Sequence, residues 1–187
     1  MKENLNKQDI LFGLQEIGRK AKERNSVIDI AIYGGAALIL AYDLRRMTSD
    51  IDAVNKGDNV LLGKIVEEVA EEKNWSKNWL NDGVKGFVSG KEKLVEFDYE
   101  FEGIRLYVPS PEYLLAMKCM AMRMEEIENK SDVEDIKLLI DVIGIKDTER
   151  VFEIIESFYP SKRIMPKVQF GVEQIFNEIS KKRKIRR

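Results

Sequence analysis

Residues 33–54 read YGGAALILAYDLRRMTSDIDAV, and this segment decides the fold. It begins with Gly34 and Gly35, continues through an apolar run, and ends with Asp50 and Asp52, two residues apart. Glycine lets the backbone turn sharply out of a strand and leaves its amide groups open to a ligand. In a strand, residues i and i+2 face the same side, so the two carboxylates are expected to lie together. The segment therefore predicts a turn open to phosphate beside a pair of acidic side chains.

The composition restricts the chemistry. The chain has 187 residues, of which 44% are hydrophobic and 34% charged, as expected for one soluble globular unit with an apolar core. It contains no histidine, which excludes histidine bases, histidine-containing triads and histidine-ligated zinc. Any metal ion must be bound by carboxylates, and this favours Mg²⁺ or Mn²⁺. Cys119 is the only cysteine, so no internal disulfide can form.

The two chain ends indicate the compartment and one class of partner. The N-terminal residues are polar and contain no signal-peptide core, and no apolar run approaches the length of a membrane span. We therefore expect a cytoplasmic protein without a membrane partner. Residues 181–187 carry six positive charges and no negative ones, whereas the rest of the chain is acidic. A basic tail is typical of a nucleic-acid contact or of a solvated terminus.

Hydrophobic periodicity predicts an α+β fold. The predicted strands are 27–33, 51–54, 94–101 and 104–108. The predicted helices are 8–24, a segment from Gly35 to about Arg46, 60–73, 111–127, 131–143, 147–159 and 165–182. Residues 75–90 are expected to be a loop, with a strong turn signal at 81–83. We predict a small mixed sheet flanked by helices at 1–108, followed by a C-terminal helical lobe with a basic tail at 109–187.

The glycine and aspartate segment resembles the signature of a known superfamily. Tyr33-Gly34-Gly35, a helix, and then Thr48-Ser49-Asp50-Ile51-Asp52 are similar to the hydrophobic-Gly-Gly and Asp-hydrophobic-Asp motifs of the DNA polymerase β-like nucleotidyltransferases. The resemblance implies a nucleotidyltransferase-type sheet and a reaction that moves a nucleoside monophosphate from an NTP to an acceptor hydroxyl. Pyrophosphate would be the second product.

The C-terminal half resembles one branch of this superfamily. The segment 111–118, then Arg123 and the segment 132–139, is similar to the minimal nucleotidyltransferases of the bacterial AbiEii toxin type. The resemblance extends over about residues 27–140, and the remaining residues match only as further helices. It implies a bacterial protein that is related to toxin–antitoxin systems.

The resemblance assigns roles to the two glycines, the acidic pair and a lysine. It implies that Gly34 and Gly35 hold the triphosphate and that Asp50 and Asp52 bind the metal ions. It also implies that Lys118 neutralises phosphate charge. Without the resemblance, Lys118 could simply extend its charge out of a core helix, but its neighbours are almost all apolar, so a lysine there requires an anion.

The remaining candidates have structural alternatives. The resemblance implies that Asp132 orients a metal ion, a water or the acceptor; as an alternative, Asp132 is a first-turn acid of the next helix. The superfamily often supplies a third carboxylate as a metal ligand, for which Asp98 is our candidate and Glu96 the alternative on the same predicted strand face. We interpret Arg45, Arg46 and Arg123 as surface charges or ion-pair partners, with steering of a nucleotide or nucleic acid as the alternative.

Two classes of function remain open at this point. The first is a metal-dependent enzyme whose acceptor is an RNA end, a protein hydroxyl or a small molecule, with RNA favoured by the basic tail and by the toxin-like relatives. The second is a catalytically inactive nucleotide-binding or toxin–antitoxin partner protein with the same fold. The sequence predicts neither the preferred nucleotide nor the oligomeric state.

Overall fold

A computed structural model of the chain describes residues 4–97, 99–122 and 130–185. The helices are α1 (Lys7–Glu23), α2 (Gly34–Leu40), α3 (Asn59–Lys73), α4 (Pro111–Ala121), α5 (Lys130–Ile143), α6 (Thr148–Phe158) and α7 (Pro166–Ile185). The strands are β1 (Leu5–Asn6), β2 (Ile28–Ile32), β3 (Met47–Thr48), β4 (Ile51–Asn55), β5 (Leu80–Asn81), β6 (Leu94–Glu96) and β7 (Ile104–Pro109). Over these ranges, no helix combines the length and the apolar character that a membrane crossing requires.

Contacts within the chain divide it into two compact units. The first comprises residues 1–86 and 94–109, and the second comprises 87–93 and 110–187. The division predicted from the sequence, an α/β core at 1–108 and a helical lobe with a basic tail at 109–187, stays a prediction.

The first unit is built on a five-stranded mixed sheet. The strand order is β5-β4-β2-β7-β6, in which β2 is antiparallel to β4 and parallel to β7. Buried residues of the inner strands, for example Ile30 of β2 and Leu106 of β7, form the core with apolar side chains of α1 and α3. Strand β4 shows the half-buried alternation that the sequence predicts, whereas the central strand β2 is buried at three consecutive residues, 30–32. The predicted α+β class, a small mixed sheet with helices, is confirmed.

Helix α2 is shorter than predicted. It ends at Leu40, whereas the sequence predicted helix to about Arg46. Asp43 adopts a left-handed conformation with φ of 53°, and the Leu44 amide donates to the Leu38 carbonyl oxygen over 3.0 Å. The turn at Asp43 reverses the direction of the chain. The residues that follow form β3, which pairs with β1 in an antiparallel two-stranded sheet that the sequence did not predict. Prediction missed both features because the β1 partner lies about forty residues earlier in the chain.

The predicted strand 94–101 is also shorter in the structure. Regular pairing with β7 ends at Glu96, and one further bond runs from the Phe97 amide to the Leu106 carbonyl. Beyond it, the amides of Tyr99 and Phe101 donate to carbonyls two residues earlier, so local turns replace the ladder. The three aromatic rings still lie in a row, with centroids 5.1 and 5.5 Å apart. Asp98 lies outside the described residues.

The second unit is helical and packs around α4. The Tyr113 ring of α4 lies 4.8 Å from the Phe158 ring of α6, centroid to centroid. The Tyr113 hydroxyl accepts from the Ser89 amide over 2.8 Å, which fixes the segment 87–93 to the helices. Cys119 is fully buried in α4, and burial raises the pKa of its thiol to about 12. This thiol is therefore a packing group.

Candidate functional site

The glycine turn between β2 and α2 has no room for side chains. Gly34 has φ of +58°, a left-handed conformation that favours glycine. A Cβ atom on Gly34 would lie 2.4 Å from Oδ2 of Asp52, and one on Gly35 would lie 2.6 Å from Oγ1 of Thr48. Both distances are shorter than any van der Waals contact. The Asp52 carboxylate therefore lies directly against the turn.

The sheet register holds Asp52 in this position. Ile32 of β2 is paired with Ala53 of β4, and the Tyr33 amide donates to the Asp52 carbonyl oxygen over 2.8 Å. The end of β2 is thus fixed beside the start of β4. The alternation of β4 buries Ile51 and Ala53 and leaves the Asp52 side chain half-buried on the other face. An ionisable side chain at this position is exposed to a ligand without being fully solvated.

The Asp50 carboxylate is oriented by Asn81, a residue that the sequence did not single out. Nδ2 of Asn81 donates to Oδ2 of Asp50 over 2.8 Å. The other end of the same amide is fixed as well, because Oδ1 of Asn81 accepts from the Gly83 amide over 2.9 Å. The sequence showed Asn81-Asp82-Gly83 only as a turn signal. Its second role depends on the parallel pairing of β5 with β4, which places Asn81 beside the acidic residues.

Asp50 and Asp52 lie two residues apart at the start of β4 and gain no third carboxylate in the described ranges. There, no group of three or more acidic or thiol side chains is suited to a metal ion. Glu96 lies on β6, and three strand spacings, about 14 Å, separate β6 from β4 across the sheet. Glu96 therefore does not join Asp50 and Asp52 in this structure. The candidate Asp98 is outside the described residues, and so is Arg123.

Lys118 is in the second unit, where two carboxylates of α5 bind it. Its Nζ lies 2.5 Å from Oδ1 of Asp132 and 2.9 Å from Oδ2 of Asp135. The Lys118 side chain is 15% exposed and that of Asp135 only 4%. Burial acts to lower the pKa of Lys118, but the charges of Asp135 and Asp132 outweigh it, so the pKa is raised and the lysine is cationic.

The pairing supplies the anion that the sequence required for Lys118. Asp132 is in the first turn of α5, and Asp135 follows three residues later on the same helix face. This i, i+3 spacing was the available signal for Asp135, which sequence reasoning missed. The predicted roles of Lys118 and Asp132 at phosphate or metal are not tested by this ion pair and remain predictions.

Comparison with known proteins gives a family and a fold. Residues 9–182 match the family described as "Nucleotidyltransferase of unknown function (DUF6036)". No curated protein matches the chain. Among solved structures, the crystal structure of an antigenic nucleotidyltransferase-like protein from Paracoccidioides brasiliensis has a similar fold. Its TM-score is 0.51 at 15% sequence identity, and the match covers 94% of this chain and 90% of that one.

These matches support the predicted nucleotidyltransferase-type fold, and the family description implies a nucleotide substrate. They do not distinguish the AbiEii-like branch, which stays a prediction. The family match spans both units, including the glycine turn, Asp50 and Asp52 as well as the Lys118 ion pair. The chain belongs to the family of nucleotidyltransferases of unknown function, DUF6036.

Proposed function

We propose that the chain is a metal-dependent nucleotidyltransferase that moves a nucleoside monophosphate from an NTP to an acceptor hydroxyl and releases pyrophosphate. The observation that supports it most is the contact between the glycine turn and Asp52. Gly34 and Gly35 present main-chain amides without side chains, and the Asp52 carboxylate lies against Gly34. A phosphate at the turn would have amide donors on one side and a carboxylate, a ligand for its counter-ion, on the other.

The residues at β4 fit a hard divalent cation. Asp50 and Asp52 offer carboxylate oxygens, the ligands that Mg²⁺ and Mn²⁺ prefer, and Asn81 fixes the orientation of Asp50. Mg²⁺ is commonly held by one or two carboxylates together with substrate phosphates, so a pair suffices when the nucleotide is bound. The ion would neutralise phosphate charge and polarise the reacting phosphoryl group.

The protein's own groups would act mainly by positioning. The amides of Gly34 and Gly35 would donate to phosphate oxygens and orient the triphosphate, and Asp50 and Asp52 would fix its counter-ion. Phosphoryl-type transfer depends largely on such positioning and on charge stabilisation. We include RNA as the favoured acceptor and a toxin–antitoxin setting in the proposal, on the grounds of the basic tail and the toxin-like resemblance.

The transfer itself can be tested with α-labelled NTPs, Mg²⁺ or Mn²⁺ and total bacterial RNA. We expect label to enter an acceptor with the wild type, and Asp52→Asn to reduce the rate by at least about 10²-fold, because a charge-stabilising group is lost. Glu67→Gln is the matched control, since it removes one exposed carboxylate from α3 and should leave the rate unchanged. A wild type that binds NTP but labels no acceptor would instead indicate the inactive nucleotide-binding protein.

Asn81 gives a second test of the site. We expect Asn81→Ala to weaken metal-dependent NTP binding by about 10–100-fold, the usual effect of removing a group that orients a metal ligand. Titration calorimetry with and without Mn²⁺ measures it. Asn78→Ala is the control, because only the Asn78 main chain is known to contact this network. If Asn81→Ala retained wild-type affinity in the presence of metal, Asp50 would not depend on Asn81 for its orientation.

A further inference from the structure

A cationic cavity lies beside the glycine turn in the first unit. It is an open cavity of about 480 Å³, and its charged lining residues are Lys7, Arg45, Arg46 and Asp43. We call it the basic cavity. Its position follows from the pairing of β1 with β3, because Leu5 opposite Thr48 brings the start of α1 next to the residues that precede β3. Residues from two distant parts of the sequence thus meet at one surface.

The basic cavity has an excess of positive charge in an acidic protein. It is lined by three cationic side chains and one carboxylate, whereas the whole chain has a net charge of −2. Lys7 is only weakly compensated, because its Nζ lies 3.6 Å from Oδ1 of Asp43 and Asp43 is 84% exposed. Within the described part of the chain, Arg46 is exposed and has no ion-pair partner. Such a lining attracts anions.

Arg45 connects the basic cavity with the glycine turn. It is half-buried, and its Nη1 atom lies 3.3 Å from the point where a Cβ on Gly35 would stand. The guanidinium group is therefore against Gly35, while the neighbouring Gly34 is against the Asp52 carboxylate. Arg45 thus belongs to the cavity lining and also contacts the turn that carries Asp52.

We propose that the basic cavity binds a phosphate group of the substrate, with Arg45 and Arg46 as its ligands. Guanidinium groups match phosphate in geometry and can donate two parallel hydrogen bonds to it. This inference rests on the proposed nucleotidyl transfer and adds a second phosphate position to that site. The phosphate has two possible sources, the NTP itself or the acceptor, for which a nucleic acid supplies phosphates next to its terminal hydroxyl.

Binding to three probes tests the proposal without any turnover. The probes are pyrophosphate, an NTP analogue with a methylene bridge between the α and β phosphorus atoms, and a short 5′-phosphorylated single-stranded RNA. We expect Arg46→Gln to lower the affinity for at least one of these probes by about tenfold or more, the effect of losing a charge-assisted hydrogen bond. Lys64→Gln, which removes an exposed charge from α3, is the matched control.

The pattern of losses identifies the source. A loss of affinity for the NTP analogue and for pyrophosphate, with unchanged affinity for RNA, assigns the cavity to the triphosphate. A loss of affinity for RNA alone assigns the cavity to the acceptor. In that case the slope of log K against log salt concentration should also become shallower by about 0.7 for each lost phosphate contact. Lys7→Met provides a second variant in the same lining. Wild-type affinity of both variants for all three probes would overturn the inference.

The two proposals can fail separately. If the variants bind every probe normally and the wild type still transfers nucleotide, only the cavity inference is wrong. If the variants lose phosphate binding but the wild type transfers no label to any acceptor, the cavity is a phosphate site and the proposed transfer activity is wrong. Circular dichroism of each variant confirms that it is folded before binding is compared.

Discussion

Lys118→Met is expected to lower the free energy of unfolding by about 3–5 kcal/mol, the usual result of removing one partner of a buried ion pair. Methionine would fill the space within the apolar helix α4. It would, however, remove the ammonium group that lies 2.9 Å from Oδ2 of Asp135, a side chain that is only 4% exposed. Urea denaturation followed by tryptophan fluorescence and circular dichroism measures the change.

Two further variants separate the ion pair from packing. Lys118→Met combined with Asp135→Leu should recover most of the loss, because apolar replacement of a whole buried pair is often neutral or stabilising. Lys137→Met is the matched control: its partners Glu134 and Glu178 are 53% and 43% exposed, so water can solvate them. If Lys118→Met and Lys137→Met lowered the free energy of unfolding equally, the burial of Asp135 would not determine the size of the loss.

The same ion pair sets a pH dependence. Folding raises the pKa of Lys118, so its contribution to stability is fully present below pH 10.5, the ordinary lysine value, and is lost as the pH rises through the raised value. The difference in unfolding free energy between the wild type and the double variant should therefore change in strongly alkaline solution and stay constant near neutral pH. A change near neutral pH would contradict the assignment.

Gly34→Ala is expected to reduce nucleotide transfer by about 10²-fold, the effect of displacing a reacting group by about 1 Å. The new Cβ would meet Oδ2 of Asp52 at 2.4 Å, so the carboxylate must rotate away from the turn. The left-handed conformation of residue 34 adds strain of roughly 1–2 kcal/mol. Single-turnover kinetics measures the loss of transfer rate, and Mn²⁺-dependent NTP binding measures the effect of displacing the Asp52 carboxylate.

Gly63→Ala is the control for this change. Gly63 lies in α3, and apart from its chain neighbours and the backbone of its own helix no atom lies within 4 Å of the position that its Cβ would take. Alanine there should raise the free energy of unfolding by about 0.5–1 kcal/mol and leave nucleotide affinity unchanged. If Gly34→Ala bound and transferred nucleotide as well as Gly63→Ala does, the contact between Asp52 and the turn would have no part in the reaction.

Local patterns predicted those elements whose signals lie within one stretch of sequence. Strand β2, strand β4 and helix α3 agree with their predicted ranges to within one residue at each end because alternation and helical periodicity are local. The glycine turn was predicted for the same reason: two adjacent glycines follow a run rich in β-branched residues. The alternation 94–101 was overextended, because side-chain pattern alone does not show where the partner strand stops.

The features that prediction missed depend on partners distant in sequence. Asn81 orients Asp50 only because β5 pairs in parallel with β4, and Asp135 becomes significant only because α5 packs on α4. The basic cavity likewise needs β1 to pair with β3. In each case the residue type was visible in the sequence, but its neighbour was fixed by tertiary pairing, which a single sequence does not encode as a local pattern.

The burial of Cys119 makes the chain a convenient background for site-directed spin or fluorophore labelling. Its thiol is inaccessible and its pKa is about 12, so maleimides, which react with exposed thiolates, should leave it unmodified in the native protein. No other cysteine needs to be removed. A single cysteine at exposed Lys64 in the first unit and another at exposed Glu149 in the second would therefore accept probes directly, and the distance distribution between the two probes would report whether added nucleotide changes their separation.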